Sequence, residues 1–289
     1  MMLTIFTPTY NRADFLPRLY DSLLKQGSTD LEWLIVDDGS TDDTATVVRS
    51  FLDEGKLCIR YVKKENGGKH SAYNCGLENA HGEWFLCVDA DDFLHKDALT
   101  HIANAITHAD KDTALIAYKQ SVRGTLLSDE FPRNIDRCRI SDLSLRHSCQ
   151  GEFSLVFPTA VARKFKFPIF QGEKFVGESV IYDRYDREHS VLLLPEVITV
   201  CEYQPDGYSS NFSKLMKQNP NGFCLYFLQR IDLQTRLLPR LVHAGKYWCF
   251  RWISGNADLV YEGKHRVLVF LAMLPGIAFR IYYKLFRNI

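Results

Sequence analysis

The 289-residue chain has no net charge, with 35 Lys+Arg against 35 Asp+Glu. That argues against a protein whose whole surface grips nucleic acid. No cysteine pair has zinc or redox spacing: the eight cysteines (positions 58, 75, 87, 138, 149, 201, 224 and 249) are scattered, several of them in apolar runs. A reduced cytosolic compartment fits this usage. No basic flank with a long apolar segment opens the chain, where Met2 leads straight into Leu3, Ile5 and Phe6, so no secretory signal is expected. No uncharged apolar run is long enough to span a bilayer. The longest, Val267 to Phe279, has 13 residues and contains Pro275 and Gly276, against the roughly 20 that a spanning helix needs. Internal repeats and low-complexity tracts are also missing, and 46% apolar residues suit a large core or two closely joined lobes.

Neutrality conceals an uneven distribution. Residues 236 to 289 hold nine Lys/Arg and only Asp258 and Glu262, a balance of +7, which leaves −7 on the rest of the neutral chain. The first 120 residues alternate short apolar runs with segments of helical periodicity, and the period changes at clusters of Gly, Asp or Asn. Strands are predicted near Leu3 to Phe6, Leu31 to Val36, Leu57 to Val62, Trp84 to Val88 and Thr113 to Tyr118. Phe15 to Leu24, Val47 to Leu52 and Ala98 to Ile106 carry the apolar spacing of helices, with Asp42 and Asp43 in the first turn of the second. Strict alternation predicts an α/β architecture, a mostly parallel central sheet flanked by helices. Beyond Ser121 the pattern loosens, with strands at Glu152 to Phe157 and Val191 to Val200, and from Pro220 onward it is helical.

In such sheets ligands collect at the carboxyl ends of strands, where loop amides and helix N-termini converge. Here the first four strands run into Thr7-Pro8-Thr9-Tyr10-Asn11-Arg12, Asp37-Asp38-Gly39-Ser40, Glu65-Asn66-Gly67-Gly68-Lys69-His70 and Asp89-Ala90-Asp91-Asp92. The last places three carboxylates in four residues at the end of an apolar strand, where their repulsion calls for a cation. Oxygen-only ligands suit Mg or Mn. The plainer reading is an acidic turn with Asp92 capping the next helix, and Asp37-Asp38 alone would be an ordinary turn into a helix cap.

Taken together and in this order, the four strand ends resemble family 2 glycosyltransferases of the GT-A fold. The resemblance is strong over residues 1 to 110 and weakens to about residue 205. It implies that Thr7, Pro8 and Tyr10 line the base pocket and that Asp38 hydrogen-bonds the base. It further implies that Asp89 and Ala90 sit by the ribose and that Asp91 binds Mn or Mg on the diphosphate. Where many members carry Ala-Arg-Asn after the third strand, this chain has Ala72-Tyr73-Asn74. Asn74 keeps its place, and Lys69 with His70 can supply the missing positive charge, the alternative being a solvated Lys69.

The resemblance also implies a catalytic Asp or Glu at a helix start in the second half. Glu178 falls there, with Glu173 its runner-up, and Asp183 and Asp186 further along are read as solvated. Glu178 can instead simply favour the helix dipole. The implied reaction is inverting transfer of a sugar from a nucleoside diphosphate sugar, UDP by resemblance with GDP or dTDP open, to an acceptor hydroxyl on a saccharide or lipid-linked saccharide.

Three parts are expected: a nucleotide-sugar half at 1–110, an acceptor and catalytic-base half at 111–205, and a basic helical tail at 206–289. The tail's charge and ten aromatics in residues 236 to 289 suit an anionic lipid interface, which predicts a cytoplasmic protein held peripherally on the inner face of the cell membrane. A helical cap packed on the catalytic lobe is the alternative for the tail. A non-catalytic sugar-nucleotide-binding or scaffolding subunit is the alternative for the whole. No G-x-G-x-x-G follows the first strand, which disfavours a dinucleotide enzyme.

Overall fold

The computed structural model describes residues 2–28, 30–202, 204, 212–287 and 289. The chain begins β1 (Leu3–Thr9), α1 (Leu16–Leu24), β2 (Leu31–Asp37), α2 (Thr44–Glu54), β3 (Cys58–Lys63), α3 (Lys69–Asn79) and β4 (Trp84–Cys87). It continues β5 (Phe93–Leu94), α4 (Ala98–Ile106), β6 (Ala114–Ser121), β7 (Arg137–Cys138), α5 (Ile140–Leu145), β8 (Phe153–Pro158), α6 (Thr159–Ala162), α7 (Ser179–Tyr185) and β9 (Val191–Cys201). Helices follow: α8 (Phe212–Gln218), α9 (Pro220–Leu233), α10 (Leu237–Ser254), α11 (Arg266–Leu271), α12 (Met273–Tyr282) and a π-helical turn, Tyr283–Arg287.

The chain forms two compact units, Met1–Lys166 with Glu188–Gln204, and Phe167–Arg187 with Pro205–Ile289. Their limits differ from the expected three-part division, because the stretch around Glu173 and Glu178 is built into the helical unit.

The first unit is a mixed sheet in the order β3-β2-β1-β4-β8-β6-β9-β5, with β7 on β9. The parallel expectation holds across β3, β2, β1 and β4, and β8 then runs antiparallel to both β4 and β6. Strands β1 and β2 are buried along their whole length, as continuous apolar strands covered on both faces should be. One face packs Trp33, Phe51 and Tyr20 as stacked rings, Tyr20 and Phe51 4.3 Å apart, over Leu16, Leu19 and Leu23 of α1. The other packs Phe6 and Phe85 against Tyr73 of α3. Because the chain returns from β3 across β2 and β1 to β4, the order reverses beside β1, the place in such sheets where ligands bind at the strand ends.

In the second unit Phe223, Phe227, Phe250, Tyr247 and Tyr283 form an aromatic core under α9, α10 and α12. A Cβ on Gly276 would lie 2.7 Å from the Trp248 Cβ, so glycine is what lets α12 lie this close to α10. All eight cysteines are free thiols. No helix among the described residues is long and apolar enough to cross a membrane.

Candidate active site

The loops after β1 and β2 lock together. Asn11, held at φ 51, donates its backbone N–H to the Ser40 hydroxyl at 2.9 Å and accepts the Thr41 N–H at 2.8 Å. Asp42 accepts from the Ala13 N–H at 3.1 Å and from the Thr44 hydroxyl and amide at 2.6 and 3.1 Å. It therefore stands just ahead of α2 and closes its start, rather than lying in the first turn. Pro8 is buried, and Tyr10 stands 49% exposed at the rim. Thr7 is fully buried, and its hydroxyl accepts from the Trp33 indole at 3.0 Å.

Asp37 and Asp38 are both buried, which an ordinary turn would not require. Asp37 accepts from the Ser40 N–H at 2.6 Å and from the Tyr61 hydroxyl at 2.5 Å. Asp38 accepts from the Lys64 ammonium at 2.7 Å and from the Gly67 and Gly68 N–H groups at 3.0 and 2.7 Å. Three such donors satisfy the hydrogen-bonding needs of a buried carboxylate. Gly68 takes φ 89 and ψ 162, a region open essentially only to glycine. Asp38 thus fixes the sharp turn that launches α3, and Lys69 is the first residue of that helix.

Lys69 reaches Asp89, with its ammonium 2.8 Å from each carboxylate oxygen. Burial opposes the Asp89 charge, but Lys69 and then Lys119 hold its carboxyl below the usual range. At Asp91 the balance is opposite: burial, then the Asp89 charge, pushes its carboxyl up. Asp91 has no ion pair among the described residues, while its backbone carbonyl accepts from Arg18 at 2.5 Å. Ala90 is buried between the two acids. Asn74 is half-buried on α3. His70, by contrast, is buried in α3.

Asp92 is not the cap of the next helix. Asp97 occupies the position before α4, and Asp92 turns inward toward the Lys119 ammonium at 3.4 Å and the Cys201 thiol at 3.1 Å. Burial pushes its carboxyl up to about 6 despite Lys119. For Lys119 itself, burial opposes the charge, but the Asp92, Cys201 and Asp89 charges together raise its pKa. Sequence reasoning missed Lys64, Lys119 and Cys201. The signal for Lys119 was a lone lysine near the end of an otherwise apolar strand.

These acids divide by task. Asp38 and Asp92 are structural anchors turned into the protein, whereas Asp89 and Asp91 remain at the strand end, where among the described residues only Asp89 makes an ion pair. The surplus negative charge and the oxygen donors suit a hard divalent cation.

In the second unit, Glu173 is buried and accepts from the Asn221 N–H and side-chain amide, each at 2.7 Å, and from the Gly222 N–H at 2.9 Å. It closes the N-terminus of α9, a duty that occupies its carboxylate. Glu178 stands exposed at the start of α7 and makes no side-chain cap to it. Asp183 and Asp186 are not solvated: each is 1% exposed. Asp183 lies 2.8 Å from Arg230, yet burial lifts its carboxyl to about 7.

Residues 4–164 match the family model described as glycosyl transferase family 2. The chain belongs to that family. An uncharacterised glycosyltransferase of Rickettsia typhi is 35% identical over 243 residues, 82% of this chain and 74% of that protein. The poly(ribitol-phosphate) beta-N-acetylglucosaminyltransferase TarS of Staphylococcus aureus is 34% identical over 121 residues, 41% of this chain but 21% of the relative. An uncharacterised glycosyltransferase of Rickettsia prowazekii aligns over 35% of its own length.

Among solved structures, S. aureus TarS 1-349 in complex with UDP-GlcNAc superposes with a TM-score of 0.61 at 20% identity, covering 97% of this chain and 89% of that one. The mannosyltransferase PcManGT of Pyrobaculum calidifontis, in complex with GDP-Man and Mn2+, gives 0.55 at 21% identity over 99% and 83%. At such identities the likeness concerns the fold, and the fold is the GT-A type with a C-terminal helical extension.

Proposed function

We propose that this protein is an inverting glycosyltransferase that moves a sugar from a nucleoside diphosphate sugar, a UDP-sugar, to an acceptor hydroxyl. The observation that carries the reading is the strand end at Asp89 to Asp91, where one carboxylate is neutralised by Lys69 and the next has no ion-pair partner among the described residues. In this reading Tyr10 and Pro8 border the base, and the Tyr10 ring offers a face for it to stack on. Thr7 supports that wall through its bond to Trp33. Asp38 acts by holding the Gly67-Gly68 turn, with an unused lone pair left for a base N–H. Asp89 faces the ribose beside Ala90, and Asn74 contributes a polar group from α3. Lys69 gives the diphosphate its positive charge in place of the missing arginine.

Asp91 would hold Mn or Mg, which when bound supplies positive charge to the departing diphosphate. Glu178 removes the proton from the acceptor hydroxyl, and one direct displacement inverts the anomeric centre. Glu178 is preferred to Glu173 because the latter already accepts three hydrogen bonds at α9. The relative that binds UDP-GlcNAc favours UDP as the nucleotide, and the one that binds GDP-Man keeps GDP as the alternative. Surface polysaccharide or lipid-linked oligosaccharide assembly is the setting we infer. The basic tail would hold the enzyme peripherally on the inner membrane face. A transfer assay over a panel of UDP- and GDP-sugars with Mn tests the reading. Nucleotide binding without transfer or donor hydrolysis over the whole panel would favour a non-catalytic binding subunit.

A further inference from the structure

A helix at a protein surface in water turns its apolar stripe inward and its polar residues outward. The C-terminal helices of the second unit depart from that rule. Their inner stripe is apolar as expected: Val269, Ala272, Gly276 and Tyr283 are buried. Their outer stripe is apolar as well. Phe270, Leu274, Ile277, Ile281 and Leu285 are all exposed, Leu274 to 74%, and they recur every three or four residues along α11, α12 and the π-helical turn. The apolar surface also widens sideways, through a groove of about 950 Å³ between Leu237 and Leu241 of α10 and Val267 and Leu271 of α11. Lys264 and Arg266 stand at that groove, and Arg280, Lys284 and Arg287 neighbour the outer stripe in sequence, against a single acid, Glu262.

An exposed apolar surface of this extent marks an interaction site, and its charge selects the occupant. A second copy docking on the same face would bring two basic rims together. Anionic headgroups neutralise the rim while acyl chains accept the stripe. We propose that this face of α11, α12 and the π-helical turn docks in the plane of an anionic lipid bilayer. Phe270, Leu274, Ile281 and Leu285 enter the acyl boundary, and the flanking lysines and arginines meet lipid phosphates. The assignment rests on, and deepens, the peripheral attachment in the proposed function by naming the surface that makes it.

The test is co-sedimentation of the full chain with vesicles of phosphatidylcholine alone or mixed with phosphatidylglycerol. The expected result is binding that needs phosphatidylglycerol and is weakened but not abolished by salt, since salt screens charge and leaves apolar burial in place. Leu274→Gln with Leu285→Gln should leave the melting temperature unchanged, because both side chains already face outward, and should weaken vesicle binding about tenfold. If the intact protein ignores anionic vesicles at low salt, both this face and the peripheral attachment fall. Intact protein that binds, with a double variant that binds equally well, overturns the face alone. A lipid-free dimer that the double variant dissolves would assign the face to a second copy instead.

Discussion

The two units handle charge in opposite ways. The sheet unit collects carboxylates at one edge and gives nearly every one a partner from elsewhere in the unit: Asp37 with Tyr61, Asp38 with Lys64, Asp89 with Lys69, Asp92 with Lys119. The helical unit buries a few acids to join its segments and leaves a second apolar stripe, flanked in sequence by basic residues, outside its aromatic core. In the first unit, then, the informative acid is Asp91, which has no ion pair among the described residues. In the second, the informative feature is a surface that water does not favour.

If the division of labour holds, its sharpest test is between the two glutamates of the helical unit. Glu178→Gln should lower transfer by about two to four orders of magnitude, because an amide cannot take the acceptor's proton, while donor affinity and the melting temperature stay as in the wild type. Glu173→Gln should act mainly on folding, costing on the order of 1 kcal/mol at the start of α9, as read by urea unfolding. Equal loss of transfer in a stably folded Glu173→Gln protein would move the proton acceptor to Glu173.

The comparison can be sharpened by pH. Asp183 has its carboxyl lifted from an ordinary value near 4 to about 7, so between those values the folded protein binds a proton that the unfolded chain has released. This group's contribution therefore makes stability fall as pH rises through that window and level off above it. Urea midpoints across the window should show a shallower decline in Asp183→Asn than in the wild type. An unaltered slope would mean that Asp183 remains ionised beside Arg230. A smaller effect is expected at the strand ends: Lys69→Ala should weaken donor binding about tenfold, as loss of one charge-assisted contact does. Unchanged affinity would return Lys69 to the role of a solvated residue.

Much of the sheet unit was legible because its signals are local. Each strand is a short apolar run closed by Gly, Asp or Asn, so β1 to β4, and with them α1, α2 and α4, fall within a few residues of their expected limits. The roles of the acids were not legible, because their partners are far off in sequence. Gly67 is 29 residues from Asp38, Cys201 is 109 from Asp92 and Asn221 is 48 from Glu173. Nothing near Asp183 announces Arg230, so a short polar helix read as solvated. The tail's helices were legible from periodicity, whereas the exposure of their second apolar stripe needed the fold.

We propose Asp91 as the acid kept for a cation at the donor site. Calorimetry of UDP binding with and without Mn2+, in the wild type and in Asp91→Asn, tests it most directly. The expected result is Mn-dependent binding in the wild type, loss of that dependence in the variant, and a melting temperature in the variant no lower than in the wild type, since burial already disfavours the Asp91 charge. UDP binding of equal strength in both proteins, or indifferent to Mn2+ in the wild type, would contradict it.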